Sequence, residues 1–103
     1  MTGTVVRIIC WGRPDAPLGV TPFDGQWVVE YDPTRGGADP AGNRMLAHLV
    51  TTPDRAQAWV FTDATELTDC LFRESGRRDG PQGRPDRPIM AFTLATEPAE
   101  AGA

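Results

Sequence analysis

The sequence predicts an α+β fold, with an antiparallel or mixed sheet of about four strands and one main helix packed on one face of that sheet. Four short segments are rich in β-branched and aromatic residues, and one segment has the apolar spacing of a helix. Eleven Gly and ten Pro separate these segments, as turn residues do. Since a chain of 103 residues has the length of one domain, we expect a single domain at 1–103 with a flexible tail at 98–103.

The first two predicted strands differ in their patterns. Residues 4–11 are almost continuously apolar and β-branched, which is typical of a strand covered on much of both faces. A connecting loop rich in Pro follows at 12–19. Residues 26–31 then alternate, which predicts one face in the core and an opposite face, including Val28, that is largely in contact with water.

A long loop separates the second strand from the third. Residues 32–43 are dense in turn formers and residues 45–51 are again apolar, which predicts two antiparallel strands joined by a long, mobile loop. Near the end of the chain, residues 77–88 contain three Pro and no other apolar residue, so they are predicted to form a surface loop. The last predicted strand follows at 89–94, where apolar side chains alternate.

Two helix starts lie between the third and fourth strands. Residues 52–54 place Pro after a capping threonine, which predicts one or two helical turns through Ala58. Asp63 and Glu66 have the spacing of a capping box and are predicted to begin the main helix, for which Gly76 is a suitable end. One stripe of this helix is apolar. The predicted core consists of Trp27, Val29, Tyr31, Phe61, Leu67, Leu71 and Phe92.

Composition excludes several classes of protein. The formal net charge of −4 argues against the basic surface with which nucleic-acid-binding domains attract phosphates. The sequence has no run of 18 apolar residues, which argues against a membrane-spanning helix and a membrane partner. The first residues have neither the basic nor the apolar region of a signal peptide, so we expect a cytoplasmic protein.

Residues that could carry chemistry lack the partners that chemistry needs. A general base requires an oriented partner and a nucleophile, and no sequence pattern supplies either beside the single histidine, His48. Cys10 and Cys70 lie in apolar segments, which favours reduced, buried thiols. The loop at 32–43 lacks the third ligand and the terminal Glu of a calcium-binding loop. We therefore expect that the protein is not an enzyme and that it has no catalytic residue, no bound metal and no cofactor.

Part of the sequence resembles small uncharacterised proteins of phages and high-GC bacteria. The segment 48–61, with its Ala58-x-x-Phe61 spacing, and the acidic helix start at 63–67 resemble the strand, Asp-containing turn and helix of those proteins. Residues 83–93 are similar to the end of such proteins, so that the resemblance covers about half of the chain. It implies an accessory protein of a phage or mobile element and no particular activity.

Charge is unevenly distributed along the chain. The Arg-rich loop at 73–88 has a net charge of +2, whereas the rest of the chain has −6. The candidate binding residues are Arg77, Arg78, Arg84 and Arg87, together with the aromatic Phe72. Guanidinium groups on a loop stiffened by Pro can bind phosphate or an acidic protein surface, although a solvated loop with internal ion pairs is the simpler interpretation.

These observations lead to two hypotheses of function. The first is a non-enzymatic module that binds an unidentified protein partner, because three Trp and Phe72 give more aromatic surface than so small a core can hide. The second is binding of nucleic acid or a nucleotide through the Arg-rich loop. The negative net charge repels polyanions, so we expect no binding of nucleic acid.

Overall fold

The chain folds as an α+β structure whose strands pair in an antiparallel manner. The structure, a computed structural model, describes residues 3–76, 78–79, 84–85 and 88–99. The strands are β1 Thr4–Arg13, β2 Ala16–Gly19, β3 Trp27–Asp32, β4 Gly37–Ala38, β5 Arg44–Met45, β6 His48–Thr52, β7 Arg78–Asp79, β8 Arg84–Pro85 and β9 Phe92–Pro98. The helix is α1 Ala64–Leu71, and single turns of 3-10 helix lie at Arg55–Gln57 and Pro88–Ala91.

The main sheet contains five strands, in the order β2-β1-β3-β6, with β9 paired to β1 as well. The long strand β1 therefore has neighbours on both of its edges. A register shift between Ile8 and Cys10 interrupts its pairing with β9, and irregularities of this kind bend a strand and increase its twist. The sheet is curled as a result. Two further pairs of short strands, β4 with β5 and β7 with β8, lie outside the main sheet.

The segment 12–19 corrects a sequence-based expectation, because it is not an irregular loop. It forms the turn and the second strand of the β1–β2 hairpin, in which Gly12 pairs with Pro17 and Arg13 pairs with Ala16. Pro is compatible with β2 because this strand lies at the end of the sheet order, where no neighbour requires the missing N–H group. The hairpin adds a fifth strand to the four that were predicted.

Strand β3 departs from simple alternation. Trp27 and Tyr31 are buried as predicted, but Val28 is 0% exposed although the alternation placed it in water. The pairing of β3 with β6 shifts register between Val28 and Glu30, which changes the face to which the following side chains point. Val29 is consequently only half-buried.

The buried residues form one main cluster and one small one. The main cluster consists of Val6, Ile8, Phe23, Val28, Tyr31, Leu49, Phe61, Cys70, Leu71 and Ile89. The second consists of Val5, Trp27 and Ala58. Of the predicted core residues, Phe61 and Leu71 are buried, whereas Leu67 and Phe92 are half-buried and pack against the main cluster.

Local capping patterns predicted the start of α1 correctly. The carboxylate of Asp63 accepts a hydrogen bond from the backbone N–H of Glu66 at 2.7 Å, and the Glu66 carboxylate accepts one from the Thr62 hydroxyl at 2.7 Å. The helix ends at Leu71, five residues before the predicted end at Gly76. The first predicted helix is a single 3-10 turn that Asp54 caps.

The end of β9 is held to the rest of the chain. The Arg55 guanidinium donates hydrogen bonds to the carbonyl oxygens of Pro98 and Ala99 and lies 3.6 Å from a carboxylate oxygen of Glu97. The N–H of Ala99 donates to the carbonyl oxygen of Gly3 at 2.8 Å. Of the tail expected at 98–103, Pro98 and Ala99 have these contacts, and residues 100–103 lie outside the described part of the chain.

The tight approach of β2 to Gly12 leads to a prediction. Gly12 has φ +85°, and a Cβ atom there would lie 2.9 Å from Leu18 Cγ and 3.1 Å from the Leu18 backbone nitrogen. Gly42 has a similar φ of +89° with open space around it. We expect Gly12→Ala to lower the free energy of unfolding by about 2–3 kcal/mol and the control Gly42→Ala by about 1 kcal/mol, as measured by urea unfolding. Equal losses of stability in Gly12→Ala and Gly42→Ala would show that the contact between the added Cβ atom and Leu18 has no energetic cost.

Candidate functional site

The predicted arginine site lies largely outside the described residues. Arg77 and Arg87 lie outside the described residues, and Arg78 and Arg84 are described only as backbone, in the paired strands β7 and β8. Phe72 follows the end of α1 and is 51% exposed. The proposed roles of the four arginines therefore stay predictions.

One surface depression is mainly apolar. We call it the apolar depression, and its volume is about 430 Å³. It is lined by Trp11, Val20, Thr21, Pro22, Phe23, Asp39, Met45 and Phe92. Its residues come from β1, β5, β9, the loop before β3 and the turn between β4 and β5, so that no single segment of the sequence contains the site.

Strand register positions the aromatic rings of the apolar depression. Trp11 is the cross-strand partner of both Phe92 in β9 and Gly19 in β2. A Cβ atom on Gly19 would lie 3.5 Å from the Trp11 ring, an ordinary contact distance, so β2 lies directly beside the indole. Phe23 is buried and contacts Phe92 edge to face, with ring centroids 5.9 Å apart. These contacts fix the rings in a rigid wall.

Side chains at the rim of the apolar depression are exposed or charged. Val20 is 94% exposed and Trp11 is 39% exposed. The Asp39 carboxylate accepts hydrogen bonds from the backbone N–H groups of Ala41 and Asn43, each at 2.9 Å, and from the Asn43 amide. These hydrogen bonds lower the pKa of Asp39, and the bond from the Asn43 backbone N–H has the largest effect. Asp39 is therefore ionised at neutral pH, and its stabilising contribution is lost only as the pH falls through the lowered pKa.

The second depression is polar. We call it the polar groove, and its volume is about 450 Å³. It is lined by Val29, Glu30, Tyr31, Asp32, Arg35, His48, Trp59 and Arg73. The polar groove and the apolar depression share no lining residue.

The polar groove gives His48 a partner that the sequence did not reveal. His48 is opposite Asp32 in the pairing of β6 with β3, which places Glu30 diagonally across from it. His48 Nε2 lies 3.3 Å from Glu30 Oε2. On the other side of the ring, a Cβ atom on Gly37 would lie 3.4 Å from Nδ1, so Gly37 packs closely against the imidazole. The contact between His48 and Glu30 depends on the register of β3 and β6, which the sequence pattern alone does not give.

Two arginines lie beside a single carboxylate in the polar groove. Asp32 Oδ1 accepts hydrogen bonds from the Thr34 hydroxyl at 2.6 Å and from the Thr34 N–H at 3.0 Å. These bonds, and then the charges of Arg73 and Arg35, lower the pKa of Asp32. Among the described residues, neither arginine has an acidic oxygen within 4.0 Å. Both arginine side chains are exposed.

An aromatic ring forms one wall of the polar groove. Trp59 is half-buried and stacks on Phe61, with ring centroids 4.3 Å apart and an angle of 26° between the ring planes. The backbone N–H of Trp59 donates a hydrogen bond to the carbonyl oxygen of Val28 at 2.9 Å, which connects the backbone at Trp59 to β3. The indole thus has a fixed orientation.

The remaining reactive groups have ordinary structural surroundings. Cys10 and Cys70 are free thiols, and burial raises the pKa of Cys70, which disfavours the nucleophilic thiolate. Within the described ranges, no three His, Cys, Asp or Glu side chains are grouped as a metal site would need. Of the helices in the described part of the chain, none has the length and apolar character of a membrane span.

The chain is a small α+β domain in which the apolar depression and the polar groove are separate concave surfaces. Comparison of the chain with protein-family models, with curated proteins and with solved structures finds no match. The resemblance to phage accessory proteins accordingly stays a prediction.

Proposed function

We propose that this chain is a non-enzymatic protein-interaction module that binds its partner through the apolar depression. The observation that carries this proposal is the exposed apolar surface around a rigid aromatic wall, where Val20 is 94% exposed and Trp11 is 39% exposed. Exposed apolar surface next to a concave site is typical of protein interfaces. Trp is also among the residues that contribute most to binding energy at such interfaces.

The charge at the rim supports a particular kind of partner. Asp39 lines the apolar depression and is ionised, and Asp24 accepts a 2.8 Å hydrogen bond from Thr21, which also lines it. The whole chain has a net charge of −4. A second copy of the chain would bring acidic rims together, whereas a basic segment would be attracted. The proposed occupant is therefore a large apolar side chain flanked by Lys or Arg in a partner protein.

Three finer expectations belong to the same proposal. Helix α1 covers one face of the sheet, which the membership of Cys70 and Leu71 in the main core cluster supports. The protein acts in the cytoplasm as an accessory protein of a phage or mobile element. The alternative function, nucleic-acid binding through the loop at 73–88, is disfavoured by the net charge, and we expect no binding of oligonucleotides.

A selection of random peptides tests the proposal while the partner is unidentified. Peptides of about twelve residues, long enough to span such a depression, are displayed and selected on the immobilised protein. We expect the selected peptides to combine Lys or Arg with a large apolar residue. Val20→Lys should then weaken their binding at least about tenfold, because it replaces apolar contact area and repels a basic partner.

The matched control is Val60→Lys, which places the same charge on an exposed valine that does not line the apolar depression. This variant should bind the selected peptides as the unmodified protein does. A selection that enriches acidic or purely polar peptides, or equal losses in the two variants, would contradict the proposal.

A further inference from the structure

The polar groove contains two groups that suit a phosphate. Arg35 and Arg73 are both exposed, and both line the polar groove together with Asp32. Planar guanidinium groups bind phosphate oxygens with paired hydrogen bonds. One oxygen of the Asp32 carboxylate accepts two hydrogen bonds from Thr34. The two arginines supply the positive charge of the groove lining, in which Asp32 and Glu30 are the acidic residues.

The wall of the polar groove suits a planar ring. Trp59 lines the groove and is held in orientation by its stacking on Phe61. Stacking of a nucleobase on an aromatic side chain contributes about 1–3 kcal/mol to binding, and it does not depend on which base is present. Since the indole is already packed, little conformational freedom is lost when a ring contacts it.

The remaining polar groups of the groove suit hydroxyl or amino groups. The Glu30 side chain is 63% exposed and its carboxylate can accept further hydrogen bonds, while His48 is 22% exposed beside it. Ribose hydroxyls and exocyclic amines of bases are donors that fit such acceptors. The volume of about 450 Å³ lies within the range of small-molecule sites.

We infer that the polar groove binds a nucleoside monophosphate, with its phosphate on Arg35 and Arg73, its base against Trp59, and Glu30 as acceptor for its hydroxyl or amino groups. The ligand is a free mononucleotide rather than a nucleic-acid strand, because a net charge of −4 repels a polyanion but affects a single phosphate much less. The inference is independent of the proposed function, because the two depressions share no lining residue.

The test is an NMR titration of the isotopically labelled protein with each of the four common ribonucleoside monophosphates. At least one of them should bind with a Kd below about 1 mM and shift the signals of the Trp59 indole and of the His48 ring. Adenosine lacks the phosphate, and inorganic phosphate lacks the base and the ribose. Each should therefore bind at least about tenfold more weakly than the best mononucleotide. A single-stranded oligonucleotide should bind more weakly as well.

Matched variants connect binding to the two arginines. Arg35→Gln and Arg73→Gln should each weaken binding about tenfold, because each removes charged hydrogen bonds to the phosphate. Arg13→Gln is the control, since Arg13 is exposed and pairs with Asp15 at the turn of the β1–β2 hairpin. It should leave binding unchanged.

Four results would overturn the inference. They are no shift with any mononucleotide at about 10 mM, equal binding of inorganic phosphate or adenosine, tighter binding of the oligonucleotide, and unchanged binding in both groove variants. None of these results affects the peptide selection at the apolar depression.

Discussion

Truncation of Phe61 to alanine is expected to lower the free energy of unfolding by about 3–5 kcal/mol, the usual cost of removing a core aromatic ring. Phe61 is 1% exposed and belongs to the main core cluster. Its backbone exchanges two hydrogen bonds with Thr4, at 2.8 and 2.9 Å, and its ring stacks on Trp59. Loss of the ring therefore removes packing at the point where the chain between β6 and α1 meets β1.

Phe72→Ala is the matched control for Phe61→Ala. The same atoms are removed from a ring that is 51% exposed, so the expected loss is below about 1 kcal/mol. Both variants are compared with the unmodified protein by equilibrium unfolding in urea. A similar loss for the two rings would mean that Phe61 is not a core residue.

Removal of the Tyr31 hydroxyl in Tyr31→Phe is expected to cost about 1–3 kcal/mol. Tyr31 is 4% exposed, and its hydroxyl oxygen accepts a hydrogen bond from the backbone N–H of Ile89 at 3.1 Å. Ile89 is 1% exposed, so its N–H would be left in the core without this acceptor and without water. A buried donor without a partner retains the full cost of its desolvation.

Thr68→Val controls for the loss of one hydroxyl group. Thr68 is exposed on α1, and the change should alter the free energy of unfolding by no more than about 0.5 kcal/mol. Hydrogen exchange at the Ile89 amide provides a second measurement, because Tyr31→Phe should speed exchange there. Unchanged stability and unchanged exchange would show that this hydrogen bond contributes nothing.

Local signals predicted those parts of the fold that depend on neighbouring residues. The spacing of Asp63 and Glu66 is a property of one helical turn, and the structure has the corresponding hydrogen bond. The β1–β2 hairpin was missed because its content of Pro and Gly outweighed the pairing that the sheet edge permits. Burial of Val28 was missed because the bulge depends on the pairing of β3 with β6.

The candidate sites were harder to predict than the fold. Phe72, the predicted aromatic, is exposed, but the apolar depression joins Trp11, Val20 and Met45, which are distant in sequence. A single valine in a loop rich in Gly and Pro is a weak sign of exposed apolar surface, and it gives no location for a partner. The contact between His48 and Glu30 likewise depends on strand register, which composition does not specify.

The most direct test of the proposed function is an NMR map of the surface that a selected peptide covers. The labelled protein is titrated with the tightest-binding basic and apolar peptide from the selection, and shifts of backbone, methyl and indole signals are assigned to residues. We expect the largest shifts at Trp11, Val20 and Met45, and little change at Trp59 in the polar groove. Shifts centred on the polar groove or on Phe72, with Trp11 and Val20 unaffected, would contradict the assignment of the apolar depression as the partner-binding surface.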